Sequence, residues 1–232
     1  MSKLVWDAIG EHLFETGVDH AVLYPVNSSG TYPLGVAWNG ITGVTQSPSG
    51  ADETKLWADN IKYVSLRAAE EFGGTIEAYT YPDEFAECDG SAQVVAGLHA
   101  GQQPRKAFGL CYRTLIGNDT ELDSHGYMLH LVYGATCNPS QRSYSTKNDS
   151  PEAITFSWEF STNPVNFTGF KPTSYLEIDS TKFTGADKAK LDALEAKLFG
   201  TNASGQTEGT DPYLPLPDEV ASTLGYTHPV GG

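Results

Sequence analysis

The chain has 232 residues, enough to bury a full hydrophobic core in one large or two small domains. Its 29 acidic and 14 basic residues give a formal charge of -15, which argues against tight binding to DNA, RNA or anionic lipid, because phosphates are bound by Lys and Arg. A hydrophobic content of 39% excludes wholesale disorder, and no apolar run approaches the roughly 20 residues that cross a bilayer.

The start of the chain and its cysteines indicate the compartment. The first seven residues carry one cation and end on an aspartate, so we expect no secretory signal. Three widely spaced cysteines, Cys88, Cys111 and Cys137, lack C-x-x-C spacing. An odd count without such spacing favours free thiols in a reducing cytosol over a disulfide framework.

Strands dominate the predicted elements. Residues 3–15 carry a helical pattern that Gly10 interrupts, which leaves a helix and an extended arm equally open. The alternation of apolar and polar residues that marks a half-buried strand is clearest at 154–161. In chain order we predict strands at 22–24, 36–44, 56–66, 75–81, 108–115, 127–133, 154–161 and 176–179.

Two of these strands, 108–115 and 127–133, are largely apolar on both faces. A strand of this kind is either covered on both sides within its own subunit or placed in an assembly contact. The sequence leaves both alternatives open.

Helix is scarce. The best case is 186–199, where Thr184 and Asp187 form a capping-box arrangement, a leucine stripe gives one apolar face, and Gly200 ends the helix. A short helical turn is predicted at 82–87, because Pro82 suits a first helical position.

Beyond Gly200 the chain becomes rich in Gly, Thr and Pro, and the prolines of 211–217 favour extended backbone. We therefore predict one mostly-β domain over 1–200, with an N-terminal arm and a helix packed on its side. Residues 201–232 are predicted to be a C-terminal arm, laid on a neighbour or disordered alone.

A search for chemistry finds no site. The chain has no glycine-rich phosphate loop, no H-E-x-x-H and no G-x-S-x-G, so we predict no catalytic residue, no cofactor, no metal and no enzyme activity. His130 lies on an apolar strand and is expected to be a satisfied core or interface histidine. The alternating carboxylates of 118–123 favour a solvated turn over a calcium loop, and Trp57 and Tyr63 favour core packing or a subunit contact over a sugar-binding platform.

The densest acidic stretch has seven carboxylates and no Lys or Arg between Glu70 and Asp89. Such a cluster can gather a metal, serve acid–base chemistry or form a surface that repels nucleic acid. The absence of any reaction site elsewhere favours the third use, and the chain as a whole suits assembly better than catalysis.

Four stretches carry a resemblance to a known family. They read ADN at 58–60, EFGGTIEAY at 71–79, FGLCYRTLIGND at 108–119 and NDSPEAITFSWE at 148–159. With them the chain resembles the major tail proteins, or tail tube proteins, of long, non-contractile-tailed bacteriophages (siphophages), from about Leu4 to the helix at 186–199. These signatures are structural, so no catalytic residue is implied.

The resemblance implies a tail-tube fold: two packed antiparallel β-sheets, as a sandwich or barrel, with a flanking α-helix and extended terminal arms. It implies homohexameric rings that stack into a hollow tube around a tape-measure protein and join tail terminator, connector and distal tail proteins. Genomic DNA would pass through the tube without specific binding. The protein would belong to the virion tail, be assembled in the host bacterial cytoplasm, and have no membrane partner.

Within this interpretation the sequence offers two sets of candidate residues. Acidic residues that border or interrupt the predicted strand at 56–66 are candidates to face the lumen, namely Asp52, Glu53 and Asp59. Residues of the 46–54 loop and of the C-terminal arm are candidates for contacts between subunits, namely Ser47, Pro48, Ser49, Tyr213, Leu214 and Leu216. The alternative function is a capsid decoration protein or a carbohydrate-binding β-sandwich module.

Overall fold

Antiparallel strands form most of the structure, a computed structural model that describes residues 3–147, 149, 152–203 and 208–227. In chain order the strands are β1 Phe14–Pro25, β2 Val36–Ala37, β3 Ile41–Gln46, β4 Ser49–Gly50, β5 Glu53–Ala58, β6 Ile61–Arg67, β7 Glu70–Glu71, β8 Gly73–Ala78, β9 Ala92–Val95, β10 Leu98–Ala100, β11 Phe108–Asn118, β12 Leu122–Cys137, β13 Phe156–Thr162 and β14 Tyr175–Asp179. The helices are α1 Phe85–Cys88, α2 Lys188–Phe199 and α3 Pro217–Thr223, with 3-10 turns at Ser180–Lys182 and Gly185–Asp187.

One hydrogen-bonded sheet folds over on itself into two layers. Its strand order in the described chain is β2-β1-β11-β12-β13-β8-β3, and β14 also pairs with β12. The middle of β12, Met128 to Val132, pairs with β14, whereas its last residues, Ala135 to Cys137, pair with β13. The change occurs at Gly134, whose positive φ of 62° is a conformation that favours glycine. The predicted two packed antiparallel sheets are thus confirmed as two layers of one continuous sheet.

The first core lies between the two layers. Its centre is an aromatic cluster in which Trp158 of β13 packs edge-on against Phe85 of α1 at 5.1 Å between ring centres. Trp158 and Phe160 are buried and Glu159 is exposed, as the alternation at 154–161 predicted. This burial of large aromatic rings holds the layers together.

The second core lies on the opposite face of β1, β11, β12 and β14, under the helices. Leu191, Leu194 and Leu198 of α2 are buried there, which confirms the predicted leucine stripe. Their partners on the sheet include Leu129, Leu131, Tyr133 and Cys111. Both faces of β11 and β12 are therefore covered within the subunit, and this decides between the two alternatives that the sequence left open.

Several predicted elements change their limits. Residues 36–44 are two strands separated by a turn, residues 3–13 contain neither helix nor strand, and β9 and β10 form a hairpin in a stretch for which no strand was predicted. Helix α2 starts at Lys188 after a 3-10 turn, and the Thr184 side chain makes no capping hydrogen bond. Gly200, at φ 74°, ends it as predicted.

The C-terminal segment needs a correction. Residues 211–216 are extended as their prolines predicted, but they pack on the body of the domain instead of forming an arm. The Leu214 backbone N–H donates to the Tyr32 carbonyl at 3.2 Å, and the Tyr133 hydroxyl donates to the Pro215 carbonyl at 2.9 Å. Leu214, in the extended segment, and Val220, in α3, belong to the second core together with the leucines of α2. Residues 204–207 and 228–232 of the predicted arm lie outside the described residues.

This packing generates the first prediction. Leu214→Ala removes a side chain that is 2% exposed, so we expect a loss of about 3 kcal/mol in the free energy of unfolding. Leu216→Ala is the matched control, because that side chain is 36% exposed and should cost less than about 1 kcal/mol. Urea denaturation of the two variants measures the difference, and equal losses would contradict the placement of 211–224 in the core.

Candidate assembly surface

A long two-stranded ribbon leaves the sheet at β3 and β8. Three antiparallel pairs follow one another along it, β3 with β8, β4 with β7 and β5 with β6. The pairing register is the same at Val44 with Ile76, at Ser49 with Glu71 and at Glu53 with Arg67. The three pairs therefore form one continuous ribbon.

The tip of this ribbon corrects the predicted strand at 56–66. That stretch is a hairpin, not a single strand, and it turns at Asp59 and Asn60 with φ values of 51° and 61°. Two successive positive φ values define the hairpin turn whose twist matches that of its strands, and Asp and Asn tolerate this conformation better than most residues. The Asp-Asn pair was the local signal that pattern reasoning missed.

The outer part of the ribbon, β5 and β6, has two chemically different faces. Directly opposed residues share a face and successive residues alternate between faces. One face, here called the aliphatic face, consists of Thr54, Leu56, Ala58, Ile61, Val64 and Leu66. The opposite face, here called the charged face, consists of Glu53, Lys55, Trp57, Lys62, Ser65 and Arg67.

The aliphatic face is bare. Leu66 is 54% exposed and Ile61 is 62% exposed, and neither Leu56 nor Val64 is buried. Trp57 and Tyr63 are also exposed, which excludes core packing within the subunit and leaves a subunit contact as the remaining expectation. Apolar side chains at this density on a protruding element are the signature of a surface that binds another molecule.

The three acidic lumen candidates lie on this outer part but are not equivalent. Glu53 pairs with Lys62 at 2.7 Å and with Lys55 at 4.0 Å, and the hydrogen bond from Lys62 lowers the pKa of its carboxyl. Asp59 lies at the tip, and Asp52 lies just before β5, where its backbone carbonyl accepts from Ala68. Within the described chain neither Asp52 nor Asp59 has an ion-pair partner. Of the three candidates, these two therefore carry uncompensated charges, whereas Glu53 does not.

The predicted contact residues also differ among themselves, in how far each is exposed to solvent. Ser47, Pro48 and Ser49 are exposed on the inner part of the ribbon, where the Ser47 backbone N–H donates to the Gly73 carbonyl at 2.8 Å. Leu214 is buried within its own subunit and is not available to a neighbour, whereas Leu216 is partly exposed. Tyr213 is half-buried and its hydroxyl donates to Glu219 at 2.6 Å.

The acidic stretch from Glu70 to Asp89 is spread over several elements. Glu70 and Glu71 lie on the ribbon, Glu77 lies on β8, and the remaining carboxylates surround α1. Glu87 pairs with Lys106 at 3.2 Å, and Asp89 pairs with Arg142. Across the described residues no group of metal ligands forms.

The other acidic stretch is a hydrogen-bonded turn. The Asn118 side chain is buried, and its oxygen accepts from the backbone N–H of Thr120 at 3.1 Å and of Glu121 at 2.6 Å. Asp119 in turn accepts from the Gly10 backbone N–H at 2.9 Å and lies 3.2 Å from His12, whose hydrogen bond lowers the pKa of the Asp119 carboxyl. The N-terminal segment is thus held at residues 10–12, while Leu4, Val5, Trp6 and Ile9 are exposed.

The root of the ribbon is tied to the body by a column of stacked rings. Tyr112 of β11 stacks on His130 of β12 at 4.5 Å, and His130 stacks on Tyr175 of β14 at 6.0 Å. Phe72, at the start of β8, stacks on Tyr175 at 4.7 Å. From the other ribbon strand, the Gln46 amide donates to the hydroxyls of Tyr112 and Tyr175, both at 2.8 Å.

The hydrogen bonds of this column define the tautomer of His130. The Thr114 hydroxyl donates to the Glu15 carboxylate at 3.1 Å, so it accepts from His130 Nε2 at 2.9 Å. His130 Nδ1 then accepts from the Tyr175 hydroxyl at 2.5 Å. Burial of this neutral ring lowers the pKa of His130 to about 4, against the opposing effect of the Glu15 charge. His130 is thus a satisfied buried histidine, as expected.

The three cysteines are free and buried, and burial raises the pKa of the Cys88 thiol to about 12. Such thiols are unreactive at neutral pH. Among the described residues no helix is long and apolar enough to span a bilayer.

No protein-family profile and no curated protein sequence matches the chain. Among solved structures, the chain is similar to the sheath/tube terminator of an extracellular contractile injection system, PVC, with a TM-score of 0.35 and 12% identity over 71% of this chain and 97% of that chain. It is similar to the tube-terminating cap of the anti-feeding prophage, with a TM-score of 0.33 and 10% identity over 77% of this chain and 96% of that chain. The sixfold-symmetrised baseplate of the same particle gives a TM-score of 0.35 and 9% identity, over 75% of this chain and 97% of that chain. Values this low do not establish a shared fold or function, so the fold description rests on the strand pairing and the two cores.

The buried histidine generates the second prediction. The unfolded chain binds a proton at His130 near pH 6.5 and the folded chain only near pH 4, so the free energy of unfolding should fall by about 3 kcal/mol as the pH falls through that window. His130→Gln should remove this share of the pH dependence, while His99→Gln, which changes an exposed histidine on β10, should keep it. Urea denaturation between pH 7 and pH 4 measures both slopes, and an unchanged slope in His130→Gln would contradict the assignment.

Proposed function

We propose that the chain is a structural subunit of a bacteriophage tail tube. In this proposal six copies form a ring, rings stack into a hollow tube, and genomic DNA passes through the tube to the host. The observation that carries the proposal is the ribbon with its bare aliphatic face, together with the resemblance of the sequence to siphophage major tail proteins.

The ribbon supports assembly for an energetic reason. An isolated two-stranded hairpin is at best marginally stable in water, and a third strand or a covering surface is needed to order it. Burying the aliphatic face contributes roughly 25 cal/mol for each Å² of apolar surface removed from water. A second copy that covers this face both orders the ribbon and removes its exposed apolar side chains from solvent.

The open edges of the sheet support the same conclusion. The outer edges of β3 and β14 pair with no other strand of the described chain. Such edges promote uncontrolled association unless another strand or element covers them. In the proposed ring the ribbon, which extends away from the cores, contacts a different surface of the neighbouring copy. Head-to-tail contacts of this kind form a ring when the rotation between successive subunits closes.

The remaining parts of the proposal follow from the tube. The partners are other copies of the chain, a tape-measure protein and the terminator, connector and distal proteins of the tail, and the location is the virion tail after assembly in the host cytoplasm. The charge of -15 serves DNA passage, because an anionic lumen does not bind a polyanion and its field extends only ~8 Å at physiological salt.

One observation favours a second candidate. Trp57 and Tyr63 are exposed close together on the outer ribbon, where Trp57 lies on the charged face beside Lys62. Aromatic rings flanked by polar groups suit a carbohydrate-binding module. Sugar binding by dispersed monomers, without rings or tubes, would support that function.

The third prediction tests the ribbon. Val64→Lys places a charge on the aliphatic face and should abolish rings and tubes, whereas Ser65→Lys places the same charge on the charged face of the same strand and should leave assembly intact. Electron microscopy of the concentrated proteins, and of virions that carry each variant, measures the outcome. Retention of tubes by Val64→Lys, or a tail ring without sixfold symmetry, would contradict the proposal.

The fourth prediction concerns the lumen. We expect the inner wall of an assembled tube to be net acidic, with Asp52 and Asp59 contributing more than the ion-paired Glu53. The acidic stretch from Glu70 to Asp89 is the second source of lumen charge. The surface potential of a tube determined by cryo-electron microscopy measures this, and a neutral or positive lumen with the acids on the outer wall would overturn it.

A further inference from the structure

The ribbon meets the body of the domain at a polar column that has no structural equivalent elsewhere among the described residues. Tyr112, His130 and Tyr175 come from three neighbouring strands, and Phe72 extends the stack from the ribbon. Gln46, on the opposite ribbon strand, reaches the same column with two hydrogen bonds. Both strands of the ribbon are therefore tied at one point.

We infer that this column is a lock that fixes the angle of the ribbon to the body, and that a proton on His130 opens it. The inference concerns the isolated subunit and does not depend on the tube. Its consequence for a tube is that subunits present the aliphatic face in one direction only while His130 is neutral.

The lock follows from how the hydrogen bonds are distributed. The hydrogen bonds form a chain with defined directions. Gln46 donates to the Tyr175 hydroxyl, and the Tyr175 hydroxyl donates to His130 Nδ1. His130 Nε2 donates to the Thr114 hydroxyl, which donates to Glu15. This chain requires neutral His130, because Nδ1 must accept the hydrogen bond from the Tyr175 hydroxyl. His130 is buried and both of its ring nitrogens are hydrogen-bonded, and a buried group with both partners in place favours one geometry.

Protonation removes that acceptor. Nδ1–H must then donate to the Tyr175 oxygen, so the Tyr175 hydroxyl has to turn to another acceptor. The available one is Glu177 at 3.4 Å, a long contact. The imidazolium would also be buried, since His130 is 5% exposed. Glu15 and Glu177, the charged groups facing the column, are themselves exposed at its ends.

Separation of the rings in the column removes both unfavourable features, the long Tyr175–Glu177 contact and the burial of the imidazolium. Water can reach the imidazolium if Tyr175 separates from His130, and this movement also disturbs the Phe72 stack and the Gln46 hydrogen bond. Those two contacts, together with the hydrogen bond from the Thr162 hydroxyl to the Phe72 carbonyl at 2.6 Å, tie the ribbon where it leaves the sheet. Hydration of His130 therefore removes two of the three ties and loosens the ribbon.

The test measures ribbon orientation by electron spin resonance distances between labels on Lys55→Cys, in the ribbon, and Ala189→Cys, on α2. The native cysteines are buried, so labels should react with the introduced ones. At pH 7 we expect one narrow distance peak, and at about pH 3.5 its loss, with near-ultraviolet circular dichroism reporting whether the core persists.

Three variants distinguish opening of the lock by a proton on His130 from other effects of acid on the protein. Gln46→Ala should lose the narrow peak already at pH 7. His130→Gln, whose amide can donate to Thr114 and accept from Tyr175 without titrating, should keep the peak at both pH values. Asp59→Asn, a carboxylate change at the tip, should behave as the unmodified pair.

Two results would overturn the inference. One is a narrow peak in Gln46→Ala at pH 7, and the other is loss of the peak in acid by His130→Gln. If the core unfolds in acid, the Gln46→Ala result at pH 7 decides. Every measurement uses the monomer. A negative result for the lock therefore does not affect the tail-tube proposal, and an absence of tubes does not affect the inference of a lock.

Discussion

The pairing of β11 with β12 places apolar side chains on both faces of the sheet, and the rest of the domain is arranged to cover them. One face receives the second layer of the same sheet, with Trp158 and Phe85 at its centre. The other receives α2 and the C-terminal segment, with Leu194 and Leu214. Because a strand with two apolar faces is stable only when both are removed from water, the three-layer arrangement follows from these two strands.

The ribbon also has an apolar face, but none of the described residues of its own subunit covers that face. Its aliphatic face carries Leu56, Val64 and Leu66, which are comparable to core residues, yet they face solvent. The bare face of the ribbon is the feature on which the proposed assembly rests. The charged face, with Glu53 paired to Lys62, needs no such cover.

The polar column stands where these two regions meet. Apolar contacts are adaptable in direction, whereas a hydrogen-bonded network of His130, Tyr175 and Gln46 accepts one geometry. A protruding element that must meet a neighbour at a defined angle benefits from such a junction. The hydrogen bonds around buried His130 therefore have a structural purpose that additional hydrophobic packing would not serve.

The sequence by itself determined the elements whose signal is local. Alternation at 154–161 predicted β13 and the leucine spacing predicted the buried face of α2. The apolar faces of 108–115 and 127–133 predicted two strands that need cover on both sides, but not whether that cover comes from the same subunit. The structure revealed the hairpin at 56–66, whose turn at Asp59 and Asn60 interrupts the alternation. It alone decided the burial of Leu214 and the column of Phe72, Tyr112, His130 and Tyr175. The physical reason is that each of these depends on contacts between residues distant in the chain, or on a backbone turn, and neither leaves a periodic pattern in the sequence.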